Sequence, residues 1–199
     1  MSKTNMYFEN NSDLAHDRRE LSVELLGQSM QFHTDAGVFS KSSIDYGTRV
    51  LLDSFTPSGK NLLDVGCGYG VLGLTLAKKY ALTATLVDVN ARALELTEKN
   101  TALNQLTDIE ILESDKLSAL TGQVFDDIVT NPPIRAGKSV VHGILSESYA
   151  HLSAGGALWV VIQKKQGAPS ALTKLTEIFG NCDIIEKNKG YWILRSIKK

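Results

Sequence analysis

The segment Asn131-Pro132-Pro133-Ile134 directly follows the run Asp126-Asp127-Ile128-Val129-Thr130, and it constrains this chain more than any other feature. The run reads as a buried strand, and the double proline must end it. Two consecutive prolines remove two backbone N–H donors and hold φ near about −65°. The carbonyls of Asn131 and Pro132 are then fixed acceptors beside the side-chain oxygen of Asn131. Such a cluster can receive both hydrogens of an exocyclic NH2 and leave the nitrogen lone pair directed at an electrophile. Asn-Pro also initiates ordinary turns, so the tetrapeptide needs a second motif before it points to chemistry.

That motif is Asp64-Val65-Gly66-Cys67-Gly68-Tyr69-Gly70. A strand over Asn61 to Val65, a loop carrying Gly66, Gly68 and Gly70, and a helix over Val71 to Lys79 make a strand–loop–helix unit of the kind that holds nucleotide-like ligands. The dinucleotide fingerprint requires a glycine three residues after the second one. Val71 stands there, and Gly70 comes one residue early. Asp64 lies two residues before the first glycine, where it suits a cationic amino group and repels a pyrophosphate. An NAD-dependent oxidoreductase is therefore disfavoured.

Downstream, Thr83 to Val87 is a β-rich run ending in Asp88, and Asn90 is an N-cap for a helix over Ala91 to Leu103. A carboxylate at a strand's C-terminal tip can accept from both hydroxyls of a ribose, with charge-assisted bonds of roughly 1.5–3 kcal/mol each. A third strand, Ile109 to Leu112, leads to Ser114-Asp115. There a carboxylate can accept from an adenine amino group, although Ser-Asp is also a common solvated turn.

Taken together, Asp64 to Gly70, Asp88, Ser114-Asp115 and Asn131 to Ile134 resemble the cofactor and acceptor motifs of the class I S-adenosylmethionine-dependent methyltransferases. Within them the chain resembles the small-domain (MTS) family related to the 16S rRNA guanine-N2 methyltransferases. Gly37-Val38-Phe39-Ser40 and Ile44-Asp45-Tyr46-Gly47-Thr48 resemble that family's pre-motif, which packs over the methionine end of the cofactor. The similarity covers roughly Gly37 to Ser196. It implies that Asp64, Gly66, Gly68, Gly70, Asp88, Ser114, Asp115 and Asn131 bind S-adenosyl-L-methionine. It also implies that Asn131, Pro132, Pro133 and Ile134 carry catalysis, with a guanine N2 of RNA as acceptor. Ile134 stands where many amino-methyltransferases have Tyr or Phe. The larger ribosomal relatives carry an additional N-terminal RNA-holding domain, for which this chain is too short.

Strands and helices alternate along the chain, the pattern of a mostly parallel sheet covered on both faces. The expected fold is α/β: a Rossmann-like, seven-stranded sheet with an antiparallel last strand, preceded by an N-terminal β-hairpin. Leu21 to Leu26 and Ser29 to Phe32 form that hairpin, and Ile44 to Phe55 a helix. Ser139 to Leu152 reads as a helix, Ala157 to Gln163 as a strand after a Gly155-Gly156 turn, and Ala168 to Phe179 as a helix. Cys182 to Glu186 and Tyr191 to Ile197 form a closing hairpin. With 199 residues and 43% apolar content, the chain reads as one methyltransferase domain, 1–199, with an extension over 1–36 and a catalytic core over 37–199.

No apolar run approaches the roughly 18 residues of a membrane span, and Met1-Ser2-Lys3-Thr4-Asn5 lacks a signal peptide's apolar region. A cytoplasmic location, without membrane or metal, is the expectation. Cys67 and Cys182 lack the spacing of a metal site or disulfide framework, and Cys67 reads as a loop filler.

A net charge of −1 gives no global attraction to nucleic acid, so local patches must supply it. Arg135 and Lys138 flank the acceptor motif and Lys164-Lys165 follow the fifth strand; these four are the expected contacts to RNA, with ribosomal RNA as the expected partner. Lys41 and Arg49 are weaker candidates, since surface lysines mostly solubilise. His142 reads as a helix-surface residue. Tyr46 and Tyr69 are candidate aromatic contacts, with core packing favoured for Tyr69. The alternative acceptors are a protein glutamine amide, whose enzymes also use Asn-Pro-Pro, and adenine N6.

Overall fold

In the computed structural model, residues 15–199 are described; the part of the expected N-terminal extension over 1–14 lies outside them. A hairpin of β1 (Arg19–Leu25) and β2 (Gln28–Thr34) precedes α1 (Tyr46–Ser54). There follow β3 (Asn61–Val65), α2 (Val71–Tyr80), β4 (Thr83–Asp88), α3 (Ala91–Leu103), β5 (Ile109–Glu113), β6 (Phe125–Thr130) and α4 (Lys138–Ala150). The chain closes with β7 (Leu152–Gln163), α5 (Ala168–Phe179), β8 (Asp183–Asn188) and β9 (Tyr191–Ile197).

Seven strands form one sheet in the order β5-β4-β3-β6-β7-β9-β8. The first five are mutually parallel, and β9 runs antiparallel to both β7 and β8. The chain builds outward from β3 through β4 to β5, then returns to place β6 on the other side of β3. Ligands of open α/β sheets bind at such a reversal, beyond the carboxyl ends of the strands. Here that point lies between the ends of β3 and β6, where the two motifs emerge.

Strand alternation divides the apolar residues between two layers. Leu62, Leu86, Val129, Trp159 and Val161 face one core with Leu51, Leu52, Leu74 and Leu96 of α1, α2 and α3. Leu63, Val65, Ile128, Leu158 and Val160 face the other with Ile144, Leu145, Leu175 and Phe179 of α4 and α5. The hairpin is held by two buried asparagines, Asn100 of α3 and its C-cap Asn104, that replace a neighbouring strand. Asn104 accepts from Gln31 N (3.1 Å) and donates to Gln31 O (2.7 Å). Asn100 does the same at His33 (2.6 and 3.0 Å) and also donates to Tyr69 O (2.8 Å) in the glycine loop.

The local signals operate as expected at most ends. Asn90 Oδ1 caps α3 by accepting from Arg92 N and Ala93 N, and Pro169 opens α5 while left-handed Gly180 closes it. Strand ends shift by one to two residues in the N-terminal and closing hairpins, where β1, β2 and β8 span Arg19–Leu25, Gln28–Thr34 and Asp183–Asn188, and three further differences have a visible cause. The helix expected over Ile44 to Phe55 spans only Tyr46–Ser54, because Asp45 is its N-cap and Phe55 is already extended. The helix expected to reach Leu152 stops at Ala150, and Leu152 begins β7. Gly155-Gly156 is not a turn before the strand but lies inside it. A Cβ on Gly156 would stand 2.7 Å from Asp126 O, so this glycine lets β7 press against β6.

Candidate active site

A cavity of about 720 Å³ opens at the carboxyl ends of β3, β4, β5 and β6. Of the expected site residues, Asp64, Gly66, Gly68, Asp88, Ser114, Asp115, Asn131, Pro132, Pro133, Ile134 and Arg135 line it. Gly70 does not. It caps α2 at φ 92°, and a Cβ there would strike Leu74 at 2.8 Å, so its role is to let the loop turn tightly onto the helix. Lys138, Lys164 and Lys165 are also outside the lining and are exposed on adjoining segments.

The glycine loop is built to admit a ligand against its backbone. Gly66 and Gly68 have φ of 74° and 58°, and a Cβ added to either would meet nothing within 4 Å. Both positions need the left-handed backbone and look onto open space. Asp88 anchors the loop from below: Oδ2 accepts from Gly68 N (2.8 Å) and Oδ1 from Asn90 N (2.9 Å). Burial pushes its carboxyl up, while the backbone donors Asn90, Gly68 and Val89 oppose the shift. Asp64 accepts from Gly73 N at 2.8 Å and is 1% exposed. Burial first, and then the neighbouring Asp88 charge, push it up to about 7. Among the described residues that line the cavity, Asp64 and Asp88 sit beside the glycine loop while the cations Lys116 and Arg135 come from the segments after β5 and β6; carboxylates beside the loop disfavour a pyrophosphate and fit a ligand with a ribose and an ammonium group.

The Ser114 hydroxyl accepts from Ala119 N at 3.2 Å, which turns the chain after β5. Asp115 is exposed and pairs with Lys116 at 3.5 Å. Tyr69 is buried edge-on to Phe32 at 5.9 Å and also lines the cavity, whereas Tyr46 lies outside the lining. Cys67 is buried and its thiol is pushed well up by burial, which makes it unreactive filler. His142 sits on α4 near Ser170 at 3.4 Å and outside the cavity. Lys41 pairs with Asp17 at 2.8 Å.

On the acceptor side, β6 delivers Asn131 to the rim. Its amide nitrogen donates to Asp45 Oδ2 (3.2 Å) and Thr48 Oγ1 (3.1 Å). A carboxylate can only accept, so the nitrogen must face Asp45 and Oδ1 is the free end. The carbonyls of Pro133 and Ile134 are occupied by Ala136 N (3.0 Å) and Gly137 N (3.1 Å), so the turn after the motif is closed by later residues. Ile134 divides its surface between the cavity and the α4–α5 core.

Asp45, Thr48 and Tyr191 were not identified from sequence as residues that position Asn131. Asp45 and Thr48 lie in the pre-motif, but the sequence reading placed Asp45 inside the helix that it in fact caps, and a cap's second partner across the fold leaves no local signal. Tyr191 comes from β9, and its hydroxyl lies 3.4 Å from Asp45 Oδ1. It fits only because residue 47 is glycine: a Cβ there would stand 2.5 Å from the Tyr191 ring.

The profile of the methyltransferase small domain (MTS) family matches residues 29–195. The chain belongs to that family. The enzyme class and the S-adenosyl-L-methionine cofactor read from the motifs are those of the family, and the open glycine cradle with Asp88 beside it fits such a ligand. The Bacillus subtilis (strain 168) protein YbxB is 45% identical over 196 residues, covering 96% of this chain and 98% of that one. The ribosomal RNA small subunit methyltransferase C of Vibrio cholerae is 33% identical over 185 residues, 90% of this chain and 53% of that protein. The structure of the T. thermophilus 16S rRNA N2 methyltransferase RsmC, in complex with AdoMet and guanosine, superposes with a TM-score of 0.84 at 29% identity. It covers 92% of this chain and 51% of that one. The chain thus spans about half the length of the RsmC proteins it matches. Among the described residues, no helix is long and apolar enough to cross a membrane.

Proposed function

We propose that this methyltransferase transfers a methyl group to an exocyclic amine of RNA, with guanine N2 of ribosomal RNA as the acceptor. The observation that carries the reading is the fixed amide of Asn131: its nitrogen is held by Asp45 and Thr48, which leaves Oδ1 to accept from an incoming NH2. The similarity to RsmC proteins supports RNA as the substrate class.

When bound, S-adenosyl-L-methionine supplies a methyl group already activated by its sulfonium sulfur. Asp88 is placed for the ribose hydroxyls, Asp64 for the amino group, and the backbone of Gly66 and Gly68 for close approach. Asn131 Oδ1 and the adjoining carbonyls orient the acceptor nitrogen so that its lone pair faces the donor. Because the donor is activated, the nitrogen can lose a proton to solvent after it gains the methyl group, and no strong base is needed. Orientation of this kind lowers a barrier by roughly several kcal/mol.

The test is methylation with radiolabelled donor on ribosomal subunits, transfer RNA and protein extract in parallel. Label recovered as N2-methylguanosine from ribosomal RNA is the expected result. Label recovered as N6-methyladenosine or methylglutamine would replace guanine by one of those acceptors.

A further inference from the structure

We infer that the tip of the β8–β9 hairpin is a phosphate-binding ridge that leads a single-stranded segment of RNA toward Asn131, with Lys187 and Lys189 as its contacts. The inference rests on the RNA reading above and extends it to a part of the chain distant in sequence from every motif. Because β9 is antiparallel to β7, the turn between β8 and β9 emerges at the end of the sheet that carries the cavity. Tyr191, the first residue of β9, lines that cavity. The hairpin turn also joins the segment after β7, where Lys164 N donates to Gly190 O at 2.8 Å. Lys164 and Lys165 are therefore neighbours of the hairpin tip.

The cations on this ridge are exposed, and none of the four lysines has a carboxylate within 4.0 Å among the described residues. Each tip lysine is instead held over an aromatic face. Lys187 Nζ lies 4.5 Å from the Trp192 ring centroid and Lys189 Nζ 4.7 Å from that of Tyr46. Cation–π contact restrains an ammonium without neutralising it, so the charge remains available to a phosphate. Tyr46 is in turn fixed by its hydroxyl, which donates to Asn188 Oδ1 at 2.9 Å, and it follows Asp45, the residue that holds Asn131. Trp192 packs against the core of α4 and α5 and Tyr46 against the core on the other side of the sheet, so the two lysines rest on aromatic rings from the two layers. A chain of net charge −1 thus concentrates unneutralised cations beside the opening of its cavity, which is the electrostatic footprint of a nucleic-acid backbone.

The test measures the salt dependence of binding to naked 16S ribosomal RNA for the wild type and for Lys187→Gln/Lys189→Gln, with S-adenosylmethionine affinity measured alongside by calorimetry. Each single-strand phosphate released reduces the slope of log K against log salt by about 0.7, so the double variant should have a slope shallower by about 1.4 with cofactor affinity unchanged. Lys78→Gln/Lys79→Gln on α2, at the opposite end of the sheet, is the control and should leave the slope unaltered. Salt-dependent binding with the same slope in wild type and the hairpin variant overturns the ridge and leaves the RNA reading standing. Absence of RNA binding by the wild type overturns both.

Discussion

Asn131 Nδ2 lies 3.2 Å from Asp45 Oδ2, and the same carboxylate oxygen accepts from Thr48 N at 3.0 Å to start α1. One oxygen thus begins a helix and fixes the direction of the amide that faces the acceptor. Asn131→Ala is expected to abolish transfer with cofactor affinity held within a few-fold, since Asn131 serves the acceptor. Asp45→Ala should lower kcat by roughly tenfold to a hundredfold, and stability by about 1 kcal/mol for the lost cap. Asp45→Asn should restore most of kcat, because a carboxamide oxygen can accept the same two bonds. Steady-state kinetics and thermal melts check this. Equal loss of kcat in the Asn and Ala variants would show that Asp45 acts in some way other than holding the amide.

Asp88 uses both oxygens to hold the loop through Gly68 N and Asn90 N, and it lines the cavity. Asp88→Ala should weaken S-adenosylmethionine binding at least tenfold, in line with roughly 1.5–3 kcal/mol per charge-assisted bond. Calorimetry decides it, and an unchanged dissociation constant would remove Asp88 from the cofactor site.

Asp64 is pushed up to about 7 from an ordinary value of 3.8. The folded state holds this proton more tightly than the unfolded state. Its stabilising contribution is therefore complete below about pH 4 and is lost as pH rises to about 7. Cofactor binding should run the other way, because an ammonium group favours the ionised carboxylate. Affinity should rise between pH 5.5 and pH 7.5, a window that ends before the ligand's own amino group, with a reference pKa of about 7.7–8.0, is mostly neutral. Calorimetry across that window checks it, with Asp64→Asn expected to flatten the profile. Affinity that falls with rising pH in the wild type would mean that Asp64 meets no cation.

Much of this molecule was legible in one dimension because its signals are local. The Val65 to Gly70 turn, the Asn90 cap, the Pro169 start and Gly180 stop of α5, and the strand ahead of Asn131 each depend on residues a few positions apart. From them the sequence alone determined an alternating α/β chain whose two motifs meet at one end of a sheet. It also determined the residue types that can hold an ammonium group, a ribose and an amine there. Tertiary structure alone decided which of these residues face the cavity and which support it. Gly70, expected at the ligand, lies outside the cavity lining and caps α2, with Leu74 of the next turn against the place of a Cβ. Gly155-Gly156 was read as a turn and is strand, because the backbone of β6 passes against it. The place of Tyr191 beside Asp45 depends on β9 entering the sheet next to β7. That long-range pairing is set by the burial of Leu194 and Ile193 on two different cores, and no local pattern around either residue encodes it.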